Sequence, residues 1–218
     1  ATAVGDILES KYNFKVTSLI DKGYIDTKNA VFEMRDKLGP EDNLLIYYAG
    51  HGYLDKIENR GYWIPVDAEE NKRAKWINNT FILDNLKASE AKHIFVIADS
   101  CFAASLTRSK DEQIATTKEL ALLAKKKTRI VMTSGGLEPV MDGGGENNHS
   151  VFAYPFIKEL MENTEITLSD SIFPKIRQYV VDNAFQEELE KSQVPELSVL
   201  KNTGHDGGDF IFVPKTLN

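Results

Sequence analysis

Residues 43–52 of the sequence read NLLIYYAGHG, an apolar run that stops at Ala49-Gly50 and is followed at once by a histidine. Similar apolar runs recur along the chain. They are Phe14–Ile20, Gly61–Val66, His93–Ala98, Arg129–Thr133 and Asp209–Val213. Near-continuous apolar runs of four to seven residues are typical of strands buried on both faces, as in a parallel sheet. The run at 43–48 therefore predicts a strand buried on both faces, and His51 lies just past its end.

Segments with helical periodicity lie between these runs. Thr27 is a candidate N-cap for the second predicted helix, and Ser169 for the last. The predicted helices cover residues 4–11, 27–38, 81–86, 151–161 and 169–180, and a further helix is compatible with 114–123. Alternation of strands and helices predicts an α/β sandwich with a mostly parallel sheet and helices on both faces.

The start of the chain departs from this pattern. The sequence opens inside a predicted helix, whereas a doubly wound domain normally begins with a strand. We therefore expect the first strand of the sheet to lie before Ala1 or on another polypeptide. The 218 residues fit one domain.

The composition limits the partners that the protein can have. The formal net charge is −7 and 42% of the residues are hydrophobic. An acidic chain argues against nucleic acid or an anionic membrane as the main partner and mildly favours a cationic ligand. No apolar run reaches the roughly 18 residues that span a bilayer, and no signal peptide is recognisable. A single cysteine, Cys101, fits a reducing compartment, so a cytoplasmic location is expected.

Two strand ends carry unusual chemistry. His51 lies between two glycines after one buried run, and Cys101 follows Asp99 after another. A thiol and an imidazole at adjacent strand ends would be within hydrogen-bond reach, which allows the imidazole to take the thiol proton. Each residue also has a plain structural interpretation: a buried core thiol, a loop histidine bonded to backbone, and a helix-capping aspartate. The coincidence of place favours a Cys-His pair.

At these positions the sequence resembles the caspase clan (peptidase C14). The His-Gly pair of YYAGHG, the Asp99-Ser100-Cys101 triplet and the separation of 50 residues between His51 and Cys101 carry the resemblance. The triplet is most similar to metacaspases and their bacterial relatives, the orthocaspases. Resemblance continues through GYWIPVDA, TSGGLEPVMDGGG, HSVFAYPF and GHDGGDFIFVP, and so covers nearly the whole chain. It implies a caspase-like three-layer αβα sandwich over residues 1–218.

The resemblance also implies a mechanism. Cys101 would be the nucleophile, His51 the acid–base partner, and the N–H groups of Gly52 and Cys101 the oxyanion hole. Asp99 would lie in the S1 pocket, because residues two apart on an extended backbone point the same way. A carboxylate there predicts cleavage after Arg, or after Lys with less ideal geometry. The partners expected are therefore proteins or peptides with a basic P1 residue.

Processing and metal dependence follow from the same comparison. The resemblance divides the chain into a large-subunit-like part (1–106), a charged linker (107–127) and a small-subunit-like part (128–218). Self-cleavage is expected at Arg108 or Lys110 in that linker, although both residues fit plain solvated charges equally well. Calcium-dependent metacaspases have an aspartate seven positions after the nucleophile, where this chain has Arg108. We therefore expect no metal site and no calcium requirement, with Asp67, Glu69 and Glu70 as solvated loop residues.

Two other functions stay open at this stage. A caspase-fold scaffold without turnover would keep the architecture, although this chain retains both Cys101 and His51. A different cysteine hydrolase, such as an amidase, would keep the pair and change the pocket around Asp99.

Overall fold

The structure is a computed structural model that describes residues 1–70, 72–100, 107–108, 117–136, 144–186 and 191–217. Strands occur throughout this part of the chain. In chain order they are β1 (Asn43–Ala49), β2 (Gly52–Asp55), β3 (Arg60–Trp63), β4 (Ile77–Asn78), β5 (His93–Asp99), β6 (Thr107–Arg108), β7 (Thr128–Thr133), β8 (Thr167–Leu168), β9 (Phe185–Gln186), β10 (Lys191–Ser192), β11 (Glu196–Leu200) and β12 (Ile211–Phe212).

Helices separate most of these strands. They are α1 (Thr2–Tyr12), α2 (Tyr24–Lys37), α3 (Asn79–Ala88), α4 (Thr117–Leu123), α5 (Ala153–Glu162) and α6 (Ser169–Asn183), with short 3-10 turns at Arg73–Lys75, Glu146–Asn148 and Lys215–Leu217. The helices predicted from periodicity are thus present, with ends shifted by a few residues.

The central sheet has the order β1-β5-β7-β11-β6. β1, β5 and β7 run parallel, and β11 joins β7 antiparallel. Successive residues of β5 point to opposite faces, because side chains alternate along a strand. Phe95 and Ile97 pack with α1, α5 and α6, whereas Ile94 and Val96 pack with α2 and α3. The predicted α/β sandwich with helices on both faces is confirmed.

The prediction of a strand at Phe14–Ile20 is wrong. The segment forms no strand, although Phe14 and Val16 pack against the core. Leu19 and Ile20 are 42% and 50% exposed. A strand requires a neighbouring backbone for its hydrogen bonds, and β1 ends the central sheet among the described residues without pairing to this segment. An apolar run alone cannot supply such a neighbour.

Two other predicted runs form strands outside the central sheet. The run Gly61–Val66 contributes to β3, which lies in an antiparallel sheet of order β2-β3-β4, and Asp209–Val213 contributes β12, which pairs with β8. The central strand β11 has an alternating pattern and was not predicted. Apolar patterning reports burial and not the identity of the pairing partner, so these assignments required tertiary contacts.

Both predicted helix caps are also wrong, and for the same reason. α2 begins at Tyr24, whose N–H donates to the Asp67 carboxylate at 2.7 Å, while the Thr27 hydroxyl donates to the Gly23 carbonyl within the helix. α6 begins at Ser169 itself. Asp209 accepts hydrogen bonds from the Ser169 hydroxyl and the Asp170 N–H. In each case an aspartate distant in sequence satisfies the helix N-terminus, a role that local sequence cannot reveal.

Candidate active site

The register between β1 and β5 places the two strand ends of interest side by side. The strands are parallel, and Ala49 lies opposite Asp99 at their carboxyl ends. His51 follows Ala49 by two residues. Functional residues of open parallel sheets collect at this edge, where the chain leaves the rigid strands. The register thus places Asp99 opposite Ala49, at the sheet edge from which the His51 loop leaves.

The loop that carries His51 is fixed through its backbone. The His51 carbonyl accepts hydrogen bonds from the Ile64 N–H at 3.0 Å and from the Tyr48 hydroxyl at 2.7 Å. His51 itself is exposed to solvent. A Cβ on Gly50 would lie only 3.0 Å from the Tyr48 hydroxyl, so glycine allows the loop to pass this group closely. The histidine is therefore displayed on an anchored loop.

Gly52 starts the hairpin that follows His51. It is the first residue of β2 and lies opposite Trp63 of β3. Trp63 stacks on Tyr48 with ring centroids 4.1 Å apart and planes 6° apart. The hairpin therefore packs against the end of β1 and sets the direction in which the backbone leaves His51.

Asp99 is half-buried at the end of β5 and is held by two hydroxyl groups. The Ser150 hydroxyl donates to its Oδ2 at 2.6 Å, and the Tyr47 hydroxyl donates to the same oxygen at 3.2 Å. Ser150 Oγ also accepts the Ala153 N–H at 2.9 Å, which ties Asp99 to the start of α5. These contacts fix the orientation of a carboxylate beside the His51 loop.

The neighbouring titratable groups respond to this environment. Burial, followed by the negative charge of Asp99, raises the pKa of Tyr47 well above its usual value, and burial raises the pKa of Tyr48 to about 12. Both phenols are therefore protonated donors at neutral pH. Asp99 thus sets a negative potential at this edge.

Three predicted site residues are not tested by this geometry. Cys101 and Lys110 lie outside the described residues. The backbone of Arg108 belongs to β6 and pairs with Val199 of β11. The nucleophile, the oxyanion hole and the self-cleavage sites therefore stay predictions.

The acidic loop after β3 is engaged in structural contacts. Asp67 accepts the Tyr24 N–H and lies 3.0 Å from Lys75 Nζ, and Glu69 forms a 2.6 Å ion pair with Lys72. The Tyr24 N–H, followed by Lys75, lowers the pKa of Asp67. Within the ranges that the structure covers, no cluster of three or more His, Cys, Asp or Glu could hold a metal ion. The prediction about calcium is not tested by these contacts.

Sequence reasoning missed the supporting hydroxyl groups of Tyr47, Tyr48 and Ser150. A signal was present, since the two tyrosines directly precede Ala-Gly-His-Gly and Ser150 lies in HSVFAYPF. Their roles depend on the β1–β5 register and on the position of α5, which the linear pattern does not contain.

Comparisons with known proteins agree with this architecture. A family model described as "Caspase domain" matches residues 1–205. Comparison with the curated proteins gives no significant match. Among solved structures, protein GSU0716 from Geobacter sulfurreducens is similar with a TM-score of 0.61 and 14% identity, covering 91% of this chain and 82% of that one. Caspase-1 from Spodoptera frugiperda is similar with a TM-score of 0.59 and 13% identity, covering 91% and 76%.

The comparisons support different levels of detail. At 13–14% identity the structural matches concern the fold, whereas the family match covers most of the sequence.

None of the helices in the described part of the chain has the length and apolar character that crossing a bilayer requires.

Proposed function

The chain belongs to the caspase domain family, and from this premise we propose that it is a cysteine endopeptidase that cleaves after basic residues. The observation that carries the proposal is the pairing of Ala49 with Asp99 at the carboxyl ends of β1 and β5. His51 and Cys101 each follow one of these residues by two positions. A parallel register of this kind favours a histidine and a cysteine that meet at one edge of the sheet.

In the proposed reaction His51 removes the thiol proton of Cys101. The thiolate forms a C–S bond to the scissile carbonyl carbon, and the electron pair of the C=O bond moves to oxygen. The N–H groups of Gly52 and Cys101 stabilise this oxyanion, a contribution of about 2.7–4 kcal/mol for each donor. The C–N bond then breaks as His51 returns the proton to the leaving amine, and water hydrolyses the thioester.

The choice of P1 residue rests on Asp99. Its carboxylate is half-buried and oriented by Tyr47 and Ser150, which suits it to a guanidinium or ammonium group. An acidic P1 side chain would place two carboxylates in one partly desolvated site and is disfavoured. Arginine is favoured over lysine because its planar guanidinium binds a carboxylate with two hydrogen bonds.

The test is hydrolysis of fluorogenic peptides that differ only in Arg, Lys or Asp at P1. Wild type should cleave the Arg and Lys peptides, and Cys101→Ala and His51→Ala should be inactive. Cleavage of the Asp peptide alone, or unchanged activity in Cys101→Ala, would refute the assignment. A folded wild-type protein with no turnover on any peptide would favour the scaffold function instead.

Self-processing and metal independence complete the proposal. Cleavage at Arg108 requires the β6–β11 pairing to open, because the bond lies in a paired strand. A gel of wild type beside Cys101→Ala decides whether cleavage occurs, and an active single band shows that it is not needed.

Equal peptidase rates in calcium and in a chelator are expected, whereas a loss of activity in the chelator would contradict metal independence.

A further inference from the structure

We infer that Tyr47 and Tyr48, adjacent on β1, are positioning residues for separate halves of the site, with Tyr47 orienting Asp99 and Tyr48 anchoring the His51 loop. The inference rests on the proposed function and adds the groups that set substrate affinity and turnover independently. Neighbouring residues of β1 point to opposite faces of the sheet, so the two rings enter different halves of the core.

Both rings are anchored by aromatic stacking. Tyr47 stacks on the buried Phe156 of α5, with centroids 6.1 Å apart and planes 18° apart. Tyr48 stacks on Trp63 of β3 at 4.1 Å. Because the rings are fixed by packing, each hydroxyl is delivered to a defined place. A Tyr→Phe change keeps the ring and removes only the hydroxyl.

The Tyr47 hydroxyl acts on the carboxylate. It donates to Oδ2 of Asp99, the oxygen that also accepts from Ser150. Two donors on one oxygen fix the plane of the carboxylate before a substrate arrives, so less ordering is needed on binding. Hydrogen bonds to a charged group are the stronger class, and loss of this one should weaken binding of a basic P1 side chain about tenfold.

The Tyr48 hydroxyl acts on the histidine loop. It donates to the His51 carbonyl at 2.7 Å and accepts the Ile64 N–H at 3.2 Å, so it joins the loop to the residue after β3. A Cβ added at Gly50 would lie 3.0 Å from this hydroxyl, so the glycine leaves room for the hydroxyl at the turn. Loss of the hydroxyl leaves the His51 loop with one anchor fewer and should misplace the imidazole, which lowers turnover and leaves substrate affinity unchanged.

The experiment compares Tyr47→Phe and Tyr48→Phe with a matched control, Tyr12→Phe. The Tyr12 hydroxyl, buried on α1, donates to the Leu160 carbonyl at 2.8 Å and accepts a hydrogen bond from Asn163 Nδ2 at 3.1 Å, so the control also loses the hydrogen bonds of a hydroxyl without losing a ring. Two readouts are used: kcat and KM on an Arg-P1 peptide, and the rate at which iodoacetamide alkylates Cys101. The alkylation rate reports the thiolate that His51 supports and needs no P1 recognition.

We expect Tyr47→Phe to raise KM about tenfold with kcat and alkylation within twofold of wild type. Tyr48→Phe should lower kcat and the alkylation rate together by about tenfold, with KM within twofold. Tyr12→Phe should leave all three unchanged. Unchanged constants in either site variant, or the same combined loss in both, would overturn the division of roles. If wild type cleaves no basic-P1 peptide, the proposed function and the Tyr47 half fail, while an unchanged alkylation rate in Tyr48→Phe would separately overturn the other half.

Discussion

Replacing Arg129 with methionine is expected to destabilise the protein although the residue is remote from the proposed chemistry. Arg129 is the second residue of β7 and is fully buried. Its Nη1 donates to the carbonyls of Lys92 and Thr128 at 3.1 and 2.8 Å. Its Nη2 donates to the carbonyls of Ser89 and Ala91 at 3.3 and 2.7 Å. Burial lowers the pKa of Arg129 to about 10, and the guanidinium is still charged at neutral pH.

The expected loss of unfolding free energy follows from the carbonyl groups that have no donor in Arg129→Met. A buried acceptor left without a donor costs about 1–3 kcal/mol. The Lys92 carbonyl still accepts a hydrogen bond from the Thr128 N–H at 3.1 Å, so it contributes least to this cost. Removal of the buried charge recovers part of the desolvation cost, which is several kcal/mol for an ion. The net loss should be roughly 2–4 kcal/mol, equivalent to a fall in Tm of about 5–15 °C for a chain of this size.

Urea unfolding followed by the fluorescence of Trp63 and Trp76 provides the assay. Arg177→Met is the matched control, because Arg177 is exposed on α6 and its replacement should change the stability by less than about 0.5 kcal/mol. The midpoint of Arg129→Met should fall with an unchanged slope. A variant as stable as wild type, or more stable, would refute the argument that the guanidinium stabilises the connection between α3 and β5.

Three further predictions concern other parts of the molecule. Asp99→Asn should lower kcat/KM on an Arg-P1 peptide about a hundredfold, because the cation loses its charged partner, and a change below threefold would contradict the assignment of Asp99. Gly208→Ala should lower the free energy of unfolding in urea by about 1–3 kcal/mol, because the new Cβ would lie 2.5 Å from Thr128 Oγ1 and 2.6 Å from the Lys126 carbonyl oxygen. A free energy of unfolding equal to that of Gly39→Ala, where the nearest atom is 3.7 Å away, would contradict the clash. Asp67→Asn should be less stable than wild type at pH 7, since the lowered pKa of Asp67 contributes stability above its unfolded value of about 3.9 that is lost as the pH falls further. Thermal melts at pH 7 and pH 3 check this: the gap should be smaller at pH 3, and a gap as large at pH 3 as at pH 7 would argue against the carboxylate as its source.

The strands of the central sheet show which features of a strand its sequence predicts. His93–Ala98 was predicted as a strand buried on both faces, and β5 is buried there because β1 and β7 flank it. Asn43–Tyr48 has the same apolar pattern, yet its side chains are only partly buried, because β1 is the end strand among the described residues. The pattern therefore predicted both strands and not their places in the sheet.

The buried arginine marks a limit of the same kind. A charged residue at the start of an apolar run is typical of a strand end that is exposed to water. Arg129 is instead fully buried, and its guanidinium contacts the connection between α3 and β5. Four carbonyl oxygens from separate chain positions make this burial tolerable. The burial of this charged side chain therefore depends on how these four carbonyl groups are arranged in the tertiary structure.

What the sequence by itself determined is the alternation of strands and helices and the candidate pair of His51 and Cys101, because both depend on local patterning and short motifs. The tertiary structure alone decided that Ala49 lies opposite Asp99, that Phe14–Ile20 is not a strand, and that Asp67 and Asp209 serve helix N-termini. The physical reason is that side-chain patterning encodes which residues avoid water, whereas hydrogen-bond partners are chosen among groups distant in the chain.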